Sequence, residues 1–325
     1  MKTTTALCTL ALCMTAAPAS AETVIRFAHM NGPSHFVHTE AIAMAERIGK
    51  QTDGEVRIEV FPSGQLGESA QIVEQMSFGA DLMGQVQAGN LADYVADFSI
   101  IVYPFMYGGI DDVERLISSD LVSELNTKVL QNNLRVMCYL HYGTRDLYTR
   151  DREVRGPADS AGLSIRVQPV TIYTQMVEKV MGGAPTPIPW PEVYSALAQG
   201  VIDAAEAPPL SILDQRHYEH ARYLIQTNHI QDIVPLVISA SQFDGLSEDN
   251  QKIVQTEADA ACTAMSNASV ASYEAGIQQL KANGMTIIAD PDRAAFAERA
   301  GAIAASFPEW TPGLYDRART IIAGQ

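Results

Sequence analysis

Cysteine is scarce in this 325-residue chain. Of 4 in all, Cys8 and Cys13 fall within the first 21 residues, which leaves Cys138 and Cys262 for the remainder. Two cysteines cannot build a multi-disulfide scaffold or a four-cysteine metal site. They leave two readings open: one disulfide of an oxidising compartment, or two separate buried thiols, since Cys138 sits in an apolar strand pattern and Cys262 in a helical one. Positive charge is also short, with 22 Lys and Arg against 38 Asp and Glu and a net charge of −16. Such acidity argues against nucleic acid and against anionic membrane surfaces. It also means that an anionic ligand meets a repulsive overall field and needs local positive groups. Neither a Gly-x-Ser-x-Gly elbow nor a Gly-x-Gly-x-x-Gly loop is present, which removes the commonest signatures of hydrolytic and dinucleotide chemistry. Past the first residues no apolar run approaches the roughly 18 residues that span a bilayer.

The first 21 residues read as a cleaved export signal. Lys2 supplies the positive end, Ala6 to Ala16 an apolar or small-residue run, and Ala19-Ser-Ala21 the cleavage pattern. The roughly 300 residues that follow exceed one small core and predict two lobes.

The most informative stretch runs from Gly162 to Pro208. Leu163, Ile165 and Val167 alternate with Ser164 and Arg166, a strand pattern that puts Arg166 on the face opposite the core. A helical period follows over Thr171–Met181. Pro191, suited to a first helical turn, opens a second helix that stops at Gly200, and Val201–Ala205 reads as a buried strand. The unit is strand, helix, short strand, helix, strand. It predicts Arg166, Gln168 and Glu206 near one crevice at the strand ends, where open α/β sheets bind ligands. Trp190 adds an apolar wall with an indole N–H.

Elsewhere, Thr23–Ala28 and Val56–Phe61 read as strands, Asn31 as a turn residue between the first strand and its helix, and Leu82–Gln87 as a strand leading to Asn90. Ser99–Phe105 reads as a buried strand, and Val136–Tyr142 as a strand that enters Gly143-Thr-Arg145, the first crossing between lobes. Arg145 is placed at the crevice mouth, with pairing to its neighbour Asp146 as the plainer alternative. Leu236–Ser239 is the expected return crossing. From Ser247 a helical pattern without proline extends to about Lys281, longer than either lobe needs. Met285–Ile288 and helices around Ala294–Ala305 and Leu314–Ile322 are expected to finish the second lobe. His217 and His220, like His35 and His38, are spaced three apart but have no third ligand nearby, so they are assigned to polar faces and no metal or cofactor is expected. Asp203 and Glu206, three apart on a strand, point to opposite faces and make a poor acid and base pair.

The segments Gly162–Gln168, Pro185–Leu197 and Gly200–Glu206 resemble the solute-binding subunit of tripartite ATP-independent periplasmic (TRAP) transporters, the DctP family. Phe61–Gly67, Gly143–Arg145 and Thr227–Ile230 extend the likeness over nearly the whole chain. The resemblance implies an α/β, two-lobed periplasmic binding protein with mixed sheets, two or more interlobe crossings and a long helix spanning both lobes. Lobe 1 would comprise 22–143 plus about 233–270, and lobe 2 would comprise 144–232 plus about 271–325. It implies a carboxylate held by Arg166 in a two-pronged salt bridge, with Arg145 as a second basic residue and Trp190 as the aromatic wall. It also raises Asn31 from turn residue to ligand contact, while Gln87 and Asn90 remain crevice amides weighed against ordinary loop polarity. Ala207 stands where many members carry an asparagine, which puts the substrate in doubt and counts against sialic acid. Two arginines suit a C4-dicarboxylate; one arginine plus amides such as Asn31, Gln87 and Gln168 suits a sugar acid. The expected partners are a small organic acid and integral-membrane permease subunits, with the protein a periplasmic monomer and not an enzyme. A sensor that docks on a receptor ectodomain is the alternative, and a periplasmic enzyme a more distant one.

Overall fold

The computed structural model describes residues 22–324, so the export-signal reading of 1–21 lies outside the described residues. Nine strands form one sheet: β1 (Thr23–Ala28), β2 (Val56–Phe61), β3 (Leu82–Gln85), β4 (Leu134–Thr149), β5 (Ser164–Val167), β6 (Ala184–Pro187), β7 (Ala204–Ala207), β8 (Tyr223–Ser239) and β9 (Thr286–Ile288). Their order is β2-β1-β3-β8-β4-β7-β5-β6, with β9 beside β8. Two long antiparallel strands, β4 and β8, run the length of the molecule, from Leu134 opposite Ser239 to Thr149 opposite Tyr223. At one end β8 pairs with β3, so β1, β2 and β3 with their helices build the first lobe. At the other end β4 pairs with β7, which leads to β5 and β6 and builds the second. The register slips three times along the β4–β8 pair, including between His141 and Gly143. Gly143 has φ 147°, and a Cβ there would lie 2.8 Å from the ring of Pro208, so the crossing closes tightly only on a glycine.

The long helix runs Glu248–Ala282. Ser247 caps it, accepting from the backbone N–H of Asn250, with Glu248 and Asp249 in the first turn and Lys281 in the last, which complements the helix dipole at both ends. At about 1.5 Å per residue it is about 52 Å long. It packs on the helix Phe36–Gln51, then along β4, then against the helix Pro209–Asp214. Its first-lobe end is pinned where Glu257 accepts from Arg47 and Gln51. Cys138 on β4 and Cys262 on the long helix are bonded to each other, with Cα atoms 6.3 Å apart, which resolves the two readings in favour of the disulfide.

Four expectations are corrected. Residues Ala96–Val102 form a 3-10 run rather than a strand. All of Phe98–Val102 is buried, and a continuous apolar run carries no period that distinguishes strand from helix. The strand expected at Val201–Ala205 lies three residues later, at Ala204–Ala207, because Gly200 ends the preceding helix in the left-handed region and Val201 is left exposed. The return crossing is not a short strand after Pro235 but the whole of β8, which begins at Tyr223. The tail does not finish the second lobe alone: the helix Leu314–Ile322 packs on the helix Ile110–Ile117, in the segment expected to be lobe 1. Just before it, Trp310 donates to Ser99 and Thr311 donates twice to Asp97.

Candidate functional site

The cleft between the lobes is lined from both sides and from the crossing strands. Of the residues singled out in the sequence, Asn31, Gln87, Asn90, Arg145, Arg166, Gln168 and Trp190 all reach it; Glu206 does not.

Arg166 is the third residue of β5, 1 % exposed. The alternation that turned it from the core turns it into the cleft, where it is nevertheless almost fully enclosed. Its Nε donates to the Ile188 carbonyl at 2.8 Å, and its guanidinium lies 5.2 Å from the centre of the Trp190 ring. Nη1 is buried and has no hydrogen-bond partner among the described residues. Burial lowers the Arg166 pKa to about 10, against the opposing charge of Glu206, so the group remains cationic at neutral pH. Trp190 follows Pro189, opens a 3-10 turn, and is steadied from behind by the edge of His217 at 4.8 Å.

Arg145 has a different environment. It is 3 % exposed and fully engaged: Nε and Nη2 reach the two carboxylate oxygens of Glu206, Nη2 also reaches the Glu206 carbonyl at 2.9 Å, and Nη1 donates to Asp232 at 2.6 Å. Burial alone would raise the Glu206 pKa; the adjacent Arg145 and His229 override it and hold it at about 2. Burial raises Asp232, with Arg145 opposing. One cation thus faces two buried carboxylates. The pairing with Asp146 does not occur: Asp146 accepts from the Asn228 backbone and from Tyr273, both at 2.8 Å. Glu206, expected at the crevice, is 0 % exposed and braces Arg145 instead.

Three of the four amides sit on the first-lobe wall. Asn31 donates to Gln85 at 3.0 Å and accepts from the Tyr142 hydroxyl, which itself lies 2.9 Å from Ser211. Asn31 is therefore held by a chain that runs through the crossing strand to the second lobe. Gln87 has its backbone N–H on Ser69 at 2.9 Å, and its buried Oε1 has no partner among the described residues. Asn90 is 5 % exposed, and Gln168 closes the second-lobe side just past β5.

Sequence reasoning missed Glu68, Gln85, Tyr142 and Ser211, which also line the cleft, and Asp232 behind it. Tyr142 adjoins the crossing glycine and Glu68 directly follows a turn glycine, so both carried a signal; Asp232 carried none. The histidines are also corrected. His217 is buried with Nδ1 2.8 Å from the Tyr148 hydroxyl, and His35 is buried as the cap of the helix Phe36–Gln51, so neither sits on a polar face. Burial holds His217 at about 3 and His35 at about 4. Among the described residues no group of three or more His, Cys, Asp or Glu is arranged to hold a metal ion. No helix of the described residues is long and apolar enough to cross a membrane.

A two-lobed α/β fold with a polar cleft at the strand ends defines a ligand-capturing protein. The chain belongs to family 7 of the bacterial extracellular solute-binding proteins, DctP, whose profile it matches over residues 27–309. These are the solute-binding subunits of TRAP transporters, binding proteins rather than enzymes. The chain is 26% identical over 279 residues to the 2,3-diketo-L-gulonate-binding periplasmic protein YiaO of Escherichia coli, covering 85% of this chain and 84% of the relative. A TRAP periplasmic solute-binding protein of Actinobacillus succinogenes, solved with L-galactonate, superposes with a TM-score of 0.88 at 28% identity, covering 93% of this chain and 100% of that one. A Fusobacterium protein solved with sn-glycerol-3-phosphate gives 0.89 at 28% identity, covering 93% and 97%.

Proposed function

We propose that this protein is exported to the periplasm, captures a singly charged sugar acid by its carboxylate, and presents the loaded form to a TRAP permease. The single observation that carries this reading is the contrast in free donors. Arg166 keeps a buried Nη1 with no partner among the described residues, while every guanidinium nitrogen of Arg145 is spent on Glu206 and Asp232. A carboxylate placed on Arg166 gains charge-assisted hydrogen bonds in an enclosed, low-dielectric site. A second carboxylate, or a phosphate dianion, would approach an arginine already faced by two carboxylates. The body of the ligand would instead meet Asn31, Gln87, Asn90 and Gln168, which suit hydroxyls. The acid bound by the Actinobacillus relative, L-galactonate, has this chemistry: one carboxylate and several hydroxyl groups.

In this reading the lobes meet near Gly143 and about residue 233 and close on the ligand, which selects the closed form by bridging Arg166 in one lobe and the amides in the other. The protein acts as a monomer. The test is a thermal-shift screen of the protein from Glu22 onward against aldonic, uronic, keto and dicarboxylic acids and sugar phosphates. A ligand that binds only the native state raises the midpoint. Sugar acids are expected to shift it and C4-dicarboxylates to leave it in place; a larger shift with succinate or malate overturns the assignment.

A further inference from the structure

We infer that Glu68 reads the carbon next to the ligand's carboxylate, accepting a hydrogen bond from a 2-hydroxyl group and so selecting 2-hydroxy acids over their 2-oxo counterparts. The inference rests on the placement of the carboxylate at Arg166 proposed above.

Glu68 occupies the N-cap of the first-lobe helix Ser69–Ser77 and lines the cleft. The turn before it sets its backbone. Gly67 has φ 117°, and a Cβ there would lie 2.8 Å from the Gln71 side-chain oxygen that accepts from the Glu68 backbone N–H. Across the cleft, Arg166 and Trp190 line the same cavity as Glu68, and the charge of Arg166 acts on the Glu68 carboxyl. One first-lobe carboxylate therefore faces the same cavity as Arg166, whose Nη1 has no partner among the described residues. Partial burial raises the Glu68 pKa, with the charge of Arg166 opposing.

A ligand carboxylate seated on Arg166 brings its next carbon toward this group. A hydroxyl on that carbon has a proton to give, whereas a 2-oxo group turns lone pairs toward a carboxylate and leaves it without a donor. Sites built around a hydrogen bond reject the analogue that cannot make it far better than apolar pockets reject an extra methylene. Gln87, with its free Oε1 farther along the wall, supplies a further acceptor for a more distant hydroxyl.

The test is isothermal titration of the wild type, Glu68→Gln and Arg166→Ala with a set of aldonates, including galactonate, gluconate and fuconate, and the matching 2-keto aldonates. For the aldonate bound best by the wild type, the 2-keto counterpart is expected to bind at least about 10-fold more weakly, the loss of one hydrogen bond to a charged group. Glu68→Gln, which offers an N–H to a 2-oxo oxygen, is expected to bring that ratio to about one while its melting midpoint stays near that of the wild type. Equal or tighter binding of the 2-keto acid by the wild type, an unchanged ratio in Glu68→Gln, or no response to any aldonate overturns the inference. Failure of the underlying carboxylate placement has its own signature: acid binding that survives Arg166→Ala.

Discussion

Arg145 and Arg166 are both buried, both carried by strands that converge on the cleft, and opposite in what they can offer. Arg145 is the hub of an ion triad that joins β4, β7 and β8. Arg166 gives one hydrogen bond to a neutral carbonyl, stacks on Trp190, and keeps a donor open. The availability of a cationic side chain is thus set by the carboxylates the fold brings beside it, and two arginines in a cleft need not mean two anionic groups on the ligand.

The largest way to break this comparison is Arg145→Ala, which strands Glu206 and Asp232 as buried acids. A destabilisation of about 3–5 kcal/mol is expected in urea unfolding, the usual result of removing one partner from a buried ion pair. A cost below about 1 kcal/mol would mean that Arg145 is not a structural residue. The neighbour passed over by Arg145 gives the next largest effect. Burial, opposed by the hydrogen bonds from Asn228 and Tyr273, raises Asp146 from 3.8 to about 7. Between those values the folded state holds a proton that the unfolded state has lost, so the contribution is complete below pH 4 and disappears as pH rises through 7. The loss is on the order of 4 kcal/mol. Unfolding free energy measured from pH 4 to 8 should fall across that window in the wild type and much less in Asp146→Asn.

Arg166→Ala should do the reverse of Arg145→Ala, leaving the unfolding midpoint close to wild type while weakening acid binding at least about 100-fold by titration. Arg166→Lys is expected to lose about 10-fold, because an ammonium cannot reproduce the planar fork; full retention would reduce the site to simple charge. Trp190→Phe should cost roughly 3- to 10-fold in affinity, since a desolvated cation over an aromatic ring contributes about 2 kcal/mol and phenylalanine keeps part of it.

Much of this fold is written locally. The start of the long helix was legible in Ser247 and the acidic residues behind it, and Pro191 and Gly200 marked one of the cleft helices. Arg166 stood out because the polar face of this four-residue strand carries a single charge. What stayed hidden is nonlocal. Asp232 meets Arg145 only because the register of β4 on β8, with its slips, brings them together, and no spacing in the chain announces that pair. The 3-10 run Ala96–Val102 was hidden for another reason, since burial on every side erases the period on which such readings depend. His217 was misplaced because a three-residue spacing suggested one polar helix face where the chain instead makes a short turn and tucks the imidazole behind Trp190.

The bond between Cys138 and Cys262 lies on the first-lobe side of Gly143, and the chain between them holds β5, β6, β7, β8 and both interlobe crossings. That stretch, which carries most of the second lobe's strands, is therefore a closed covalent ring, entered and left at one knot. A protease that cuts once at the exposed Asp151–Glu153 loop opens the ring without releasing anything, and the nicked protein runs as one species until a reductant divides it in two. In an environment rich in proteases, the segment that carries Arg166 stays tethered to its partner lobe through a break that would sever an unbonded chain.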